Sequence, residues 1–298
     1  MIGNKAKALH IGLILLIFGG LFASISLVNH YNFRTFGFDL GIFNQAAFDY
    51  SKFDLNTNTV LSPTITNLLS DHMCLILIPI SFLQYIFGTY ALLVAQIAAV
   101  LLGALGCYKV IELKTKNHGF SLLAMVHFLS YLGVFTAISF DYHNNVVAAS
   151  LVPWFFYFIF KEKWAWGVVF SLLIISCKEN MAIYMALIAM GLLFTYKTSA
   201  VTRRALTFIS IFGILYFGVV VGYIIPWLDN DGLAYNHFNY AILGESWSEG
   251  IRNMLSDPLK YLKLLFVSRH HDQYFEGLKL KSWFVFAISG GIVAVINP

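Results

Sequence analysis

Long apolar runs separated by short polar breaks organise this chain. The runs cover residues 9–28, 90–110, 120–140, 146–160, 164–176, 181–196, 205–228 and 282–297. Most approach the roughly 20 apolar residues that a membrane-spanning helix needs. A further run, 73–87, is too short for that and carries Pro79 and Gln84. No alternating ten-residue strand pattern repeats along the chain, which argues against a β-barrel. The pattern predicts an all-α polytopic transmembrane bundle of about eight spans in a single membrane-embedded domain, 1–298.

Composition sharpens this picture. Hydrophobic residues make up 59% and charged residues 11%, where soluble domains carry about 25% charged. Mean hydropathy is +0.74, more apolar surface than a soluble fold can hide. The 28 Phe and 16 Tyr suit lipid-facing helices and interfacial belts. Cys74, Cys107 and Cys177 lie in apolar runs without a C-x-x-C pair, so neither a disulfide framework nor a zinc cage is expected. The first run is long for a signal segment and lacks a clear A-x-A cleavage pattern, so it reads as a retained anchor.

Charge decides the expected topology. Lys5 and Lys7 precede the first run, and basic clusters occupy 109–118, 161–163 and 197–204. If 73–87 lies in the outer interface or re-enters, all of these clusters share the cytoplasmic side, as the positive-inside rule demands. The N-terminus is then cytoplasmic. Segments 29–89, with interfacial or re-entrant helices, and 229–281 form extracytoplasmic loops. Every acid except Glu112 and Glu162 falls outside. The stop at Pro298, within an apolar run, reads as the end of a C-terminally truncated fragment.

This topology gathers Asp39, Asp71, His72, Asp141, His143, Lys178 and Glu179 at one outer face. Ionisable groups at membrane depth are costly and mark functional sites. Asp39 lies in Phe36-Gly37-Phe38-Asp39-Leu40-Gly41-Ile42-Phe43-Asn44-Gln45, directly after the first span. It can serve as a general base, or as a solvated or capping residue on an interfacial helix. Asp71-His72, Asp141-x-His143 and Glu179 offer oxygen and nitrogen ligands to a divalent metal, or ordinary structural hydrogen bonds. Lys178 can meet a phosphate as a point charge. Arg34 is a second candidate, also explained by snorkelling. Asn144 and Asn145 read as turn residues, and Arg269-His270-His271-Asp272 as a solvated loop. No P-loop, G-x-G-x-x-G, G-x-S-x-G or H-E-x-x-H motif is present. No basic aromatic surface points to nucleic acid.

The run Phe38 to Gln45, then Asp71-His72, then Phe140-Asp141-Tyr142-His143, then Cys177-Lys178-Glu179-Asn180 resembles an uncharacterised bacterial membrane-protein family, domain of unknown function 2079. Its members carry F-D-L-G-I-F-x-Q, a His opening an apolar helix, F-D-x-H and K-E in this order. That family is in turn distantly similar to the GT-C glycosyltransferases, which take sugars from polyprenyl-phosphate donors and carry a catalytic acid in the first outer loop. The resemblance implies a GT-C-like fold, with Asp39 as the base. It places the chain in a bacterial inner membrane and implies that His72, Asp141, His143, Lys178 and Glu179 line one cavity; Arg34 and Gln45 complete the expected substrate-binding set. Asp39 is followed by Leu40 and Gly41, so the loop departs from a paired-acid pattern and metal use stays open.

The expected activity is sugar transfer from a polyprenyl-phosphate-linked donor to an extracytoplasmic acceptor at the lipid bilayer. The alternative is a non-enzymatic transporter or lipid flippase. A transport path needs polar residues at mid-depth, and the apolar runs offer little beyond His127.

Overall fold

The computed structural model describes residues 3–55, 58–61, 67–229, 242–244, 247–267 and 277–292. Asn56, Thr57, the Arg269-His270-His271-Asp272 group and Pro298 lie outside the described residues, as does much of the expected loop 229–281. Every regular element among the described residues is helical. Two compact units divide the chain, Met1–Tyr235 and Asn236–Pro298.

The first unit holds α1 (Asn4–Tyr31), α2 (Gly37–Ser51), the short α3 (Leu68–Asp71), α4 (Leu77–Ser81) and α5 (Gln84–Phe87), and α6 (Ala91–Thr115). Then come α7 (His118–Ser130), α8 (Leu132–Ser139), α9 (Asn144–Phe160), α10 (Trp164–Ile175), α11 (Met181–Thr195), α12 (Ala200–Val219) and α13 (Ile225–Leu228). The second unit holds α14 (Trp247–Ser256), α15 (Pro258–Leu262) and α16 (Leu278–Phe286). Within it Asp257 caps α15 through Lys260 N–H at 3.2 Å, and the Trp283 indole donates to Leu265 O at 2.8 Å.

Helix boundaries follow the apolar runs closely, and the reasons are local. Asn117 caps α7 by accepting from Phe120 N–H, and Ser199 caps α12 by accepting from Thr202 N–H. Such caps satisfy donors that a helix start leaves unpaired. The run 120–140 differs from expectation. Tyr131 adopts extended backbone (φ −63°, ψ 133°), so α7 and α8 meet at a bend of 44°.

Among the described residues, three stretches are long and apolar enough to cross a membrane: Asn4–Tyr31, Leu77–Thr115 and Ala200–Leu228. The bent α7–α8 pair makes a fourth if it counts as one span. Helices α9, α10 and α11 are apolar but only 17, 12 and 15 residues long. At 1.5 Å per residue they cover roughly 18–26 Å, against a hydrocarbon core of about 30 Å.

Contacts between helix ends define two poles in the first unit. At the basic pole, Lys7 pairs with Glu112 at 3.1 Å and His10 meets His118 at 3.1 Å. The Lys114 ammonium sits 3.8 Å above the Phe160 ring and 4.5 Å above that of Tyr196. Glu162 binds the start of α12 through Ser199 Oγ at 2.6 Å. At the motif pole, His30 meets Thr89 at 3.0 Å, Phe36 meets Asp141 at 2.8 Å and Ile76 N–H donates to Ser176 O at 2.9 Å. The long elements therefore alternate between poles, while α2 to α5 stay at the motif pole. Segment 73–87 begins beside Ser176 and ends just before Gly88, whose backbone takes φ 54° and turns the chain into α6.

Small residues let the helices close up. A Cβ on Gly103 would lie 2.8 Å from Ser150 O of α9, and one on Gly213 would lie 2.5 Å from Ala182 O of α11. Close backbone approach through small residues is how helices associate where burial from water offers no driving force. Around these contacts lies one apolar core from Leu40 to Ile209, with a second around Phe22, Tyr108 and Met125.

Candidate functional site

The motif pole holds two polar centres. The first is built on the 30–36 turn, α2 and the 140–143 loop. Asp39 sits in the first turn of α2, half-buried, where helix dipoles favour an anion. Asp141 is 1% exposed, and its carboxylate accepts from Phe36 N–H at 2.8 Å. Burial pushes the Asp141 carboxyl above its ordinary range. The nearby negative charge of Asp39 adds to the push, while the Phe36 N–H, His143 and His30 work against it.

Gln96, on α6 and 1% exposed, holds the 140–143 loop from beneath. Its Nε2 donates to Asp141 O at 3.0 Å and to Ala137 O at 3.2 Å. Its Oε1 accepts from His143 N–H at 2.7 Å. His30 bonds Thr35 at 3.1 Å and Thr89 at 3.0 Å. Arg34 is exposed in this turn, its N–H donating to Asn29 O at 2.9 Å.

The second centre joins the 67–76 segment to the α10–α11 turn. Glu179 is fully buried (0% exposed). Its Oε1 lies 3.1 Å from His72 Nδ1, and its Oε2 accepts from Met73 N–H at 3.0 Å. His72 Nε2 lies 3.1 Å from Lys178 Nζ and 3.8 Å from Asp71 Oδ2. An ammonium only donates, so Lys178 requires the lone pair on Nε2 and the ring proton on Nδ1, facing Glu179. The result is a carboxylate–imidazole–ammonium chain. Charges so close to apolar runs stay in place because each has a specific partner.

Gln45 serves a different contact. Its Oε1 accepts from Thr59 N–H at 3.0 Å and from Thr59 Oγ1 at 3.3 Å. It also lines a cavity of about 460 Å³ with Asn44, Lys52, Gln84 and Thr89. The expected residues thus share one pole but fall into separate groups: Asp39, Asp141 and His143 in one, Asp71, His72, Lys178 and Glu179 in another. No three His, Cys, Asp or Glu side chains among the described residues are placed to hold a metal ion.

Sequence reasoning missed Gln96, His30 and the buried hydroxyls of Tyr50 and Tyr216, which have no hydrogen-bond partner among the described residues. Gln96 had a signal. It is the one amide in the apolar run 90–110, and a buried amide must find partners. The two tyrosines had none, because only packing shows which hydroxyls are sealed from water.

The family model for predicted membrane proteins, DUF2079, matches residues 29–294. The chain belongs to this family. No curated protein and no solved structure matches it. The four segments singled out in the sequence, from Phe38 to Asn180, fall inside the matched range, and the structure brings all four to the motif pole.

Proposed function

We propose that this DUF2079 protein is a multi-pass membrane glycosyltransferase with a GT-C-like core. It would move a sugar from a polyprenyl-phosphate donor to an extracytoplasmic acceptor. In this reading α9, α10 and α11 cross a locally thinned bilayer, and the count reaches eight with 282–297. The basic pole faces the cytoplasm and the motif pole faces outward. Support comes from the separation of Lys7, Lys114 and Glu162-bound Ser199 at one pole from Asp39, His72 and Lys178 at the other.

One observation carries the reading. A half-buried carboxylate, Asp39, stands in the first turn of α2 at the same pole as the Lys178 ammonium, above an apolar core. Asp39 accepts the proton of the acceptor hydroxyl. The acceptor oxygen bonds to the anomeric carbon as the carbon–oxygen bond to phosphate breaks. The electron pair leaves with the phosphate, whose charge Lys178 and Arg34 balance. His72, His143 and Gln45 contribute the polar lining for the sugar, while the buried Glu179 holds His72.

The test is a transfer assay in proteoliposomes with a panel of polyprenyl-phosphate sugars, with and without a chelator, comparing wild type with Asp39→Asn. Transfer that drops at least about 100-fold in Asp39→Asn supports the reading. No turnover on any donor, with both proteins folded, removes it in favour of a transporter or flippase, which flux assays then measure. Full activity in Asp39→Asn keeps the enzyme and removes Asp39 as its base.

A further inference from the structure

Asp39 lies on a helix whose start has no side-chain cap. Phe36, the N-cap residue of α2, offers none, and the turn before it contains Phe33 in the left-handed region (φ 55°). Such a start is weakly determined by its own sequence. Something else must hold it for Asp39 to keep one orientation.

The 140–143 loop supplies that hold at two points. The Asp141 carboxylate accepts from Phe36 N–H at 2.8 Å. The Phe36 ring packs on that of Phe140, centroids 4.9 Å apart, and Phe140 packs on His143 at 5.1 Å. One helical turn later, Leu40 N–H donates to Phe36 O at 3.1 Å and closes the turn that carries Asp39. The loop is itself fixed from below by two hydrogen bonds of the buried Gln96, to Asp141 O and from His143 N–H, while a third reaches Ala137 O in α8. The contacts therefore run from Gln96 on α6, through Asp141 and Phe36, to the first turn of α2.

We infer that Asp141 and Gln96 are positioning residues for Asp39. The inference rests on the reading of Asp39 as the base. Asp141 acts through the Phe36 backbone, and Gln96 acts through the 140–143 loop. A buried carboxylate is suited to this task because it accepts strongly from a backbone N–H. A buried amide is suited to the other because it donates and accepts at once. The F-D-x-H segment then has a mechanical role: Phe140 and Asp141 grip the entry to α2, and the His143 N–H anchors the grip to α6.

The test uses the full chain in lipid nanodiscs with two separate readouts. The first is hydrogen exchange of the 36–44 segment, followed by mass spectrometry. Asp141→Ala should speed exchange there about tenfold, the loss of one such bond. Asp141→Asn, which keeps an acceptor oxygen, should exchange like wild type. Gln96→Leu should speed exchange in both 36–44 and 140–146. The second readout is steady-state transfer. Asp141→Ala should lower kcat about 100-fold with little change in KM, as expected for a misplaced base, and Asp141→Asn should recover most of it. Unchanged exchange of 36–44 in Asp141→Ala would overturn the inference. So would equal loss of kcat in Asp141→Asn and Asp141→Ala with wild-type exchange, because Asp141 would then be touching substrate. If wild type transfers no sugar, the functional reading fails, and the exchange arm still decides whether Asp141 holds α2.

Discussion

The imidazole of His72 and the carboxylate of Glu179 meet at 3.1 Å across 107 positions of sequence. This contact ties the segment before α4 to the turn between α10 and α11, and Met73 N–H adds a second bond to the same carboxylate at 3.0 Å. Removing the carboxylate leaves a buried donor without its acceptor and strips the counter-charge from the neighbouring Lys178. Glu179→Ala should therefore cost about 3–5 kcal/mol of stability. Glu179→Gln, which keeps an oxygen for Met73 N–H, should cost less. Thermal unfolding in nanodiscs ranks the two, and an equal loss in both would mean that the hydrogen bonds contribute little.

At the opposite pole Glu162 works through a different balance. Burial raises its carboxyl, but hydrogen bonds from Ser199, Thr198 and Thr202 outweigh that and hold it down to about 2, against an ordinary value of 4.5. A carboxyl lowered in the folded state adds stability above its unfolded value and loses it as pH falls. The stability difference between wild type and Glu162→Gln should be flat above about pH 5 and shrink between about 4.5 and 2. Unfolding midpoints over that range check it; a constant difference would remove the charge as the cause.

Gly213 touches α11 so closely that an added methyl would meet Ala182 O at 2.5 Å. Gly213→Ala should destabilise by about 1–3 kcal/mol, as overpacking does. Gly12, with open space around the same position, supplies the control. Gly12→Ala should be neutral or slightly stabilising, since Ala is the better helix former. The comparison is read as thermal midpoints of the two variants in one detergent.

Tyr108 is 1% exposed, and its hydroxyl bonds Glu112 Oε1 at 3.1 Å and His118 Nδ1 at 2.9 Å. The Lys7 ammonium meets the same Glu112 oxygen at 3.1 Å, so one hydroxyl helps to join α1, α6 and α7. Tyr108→Phe keeps the ring and deletes the hydroxyl. A loss of about 1–3 kcal/mol is expected, together with faster exchange at the start of α7. A variant as stable as wild type would show that Lys7 and Glu112 suffice.

Much of this architecture was legible in the chain. The apolar runs marked α1, α6, α9 to α11 and the continuous stretch Ala200–Leu228 to within a few residues, because a helix in an apolar medium must be continuous to satisfy its own backbone. The run 120–140 carries no break signal, since Tyr131 is a residue that any helix accepts; its extended backbone is a tertiary outcome. The motif residues stand out because charges between apolar runs are expensive. Their grouping was not visible: Asp141 and His143 face Phe36 and Gln96, while His72 faces Lys178 and Glu179.

By itself the sequence determined that the chain is an all-helical membrane protein with its acids and most of its imidazoles between apolar runs. Hydropathy and charge are additive along the chain, so they can be read without knowing which residues meet. Tertiary structure alone decided that Gln96 holds the 140–143 loop, that Asp141 grips the start of α2 and that Glu179 reaches His72. Each of these contacts joins residues far apart in sequence, through directional hydrogen bonds whose partners are chosen only when the helices pack.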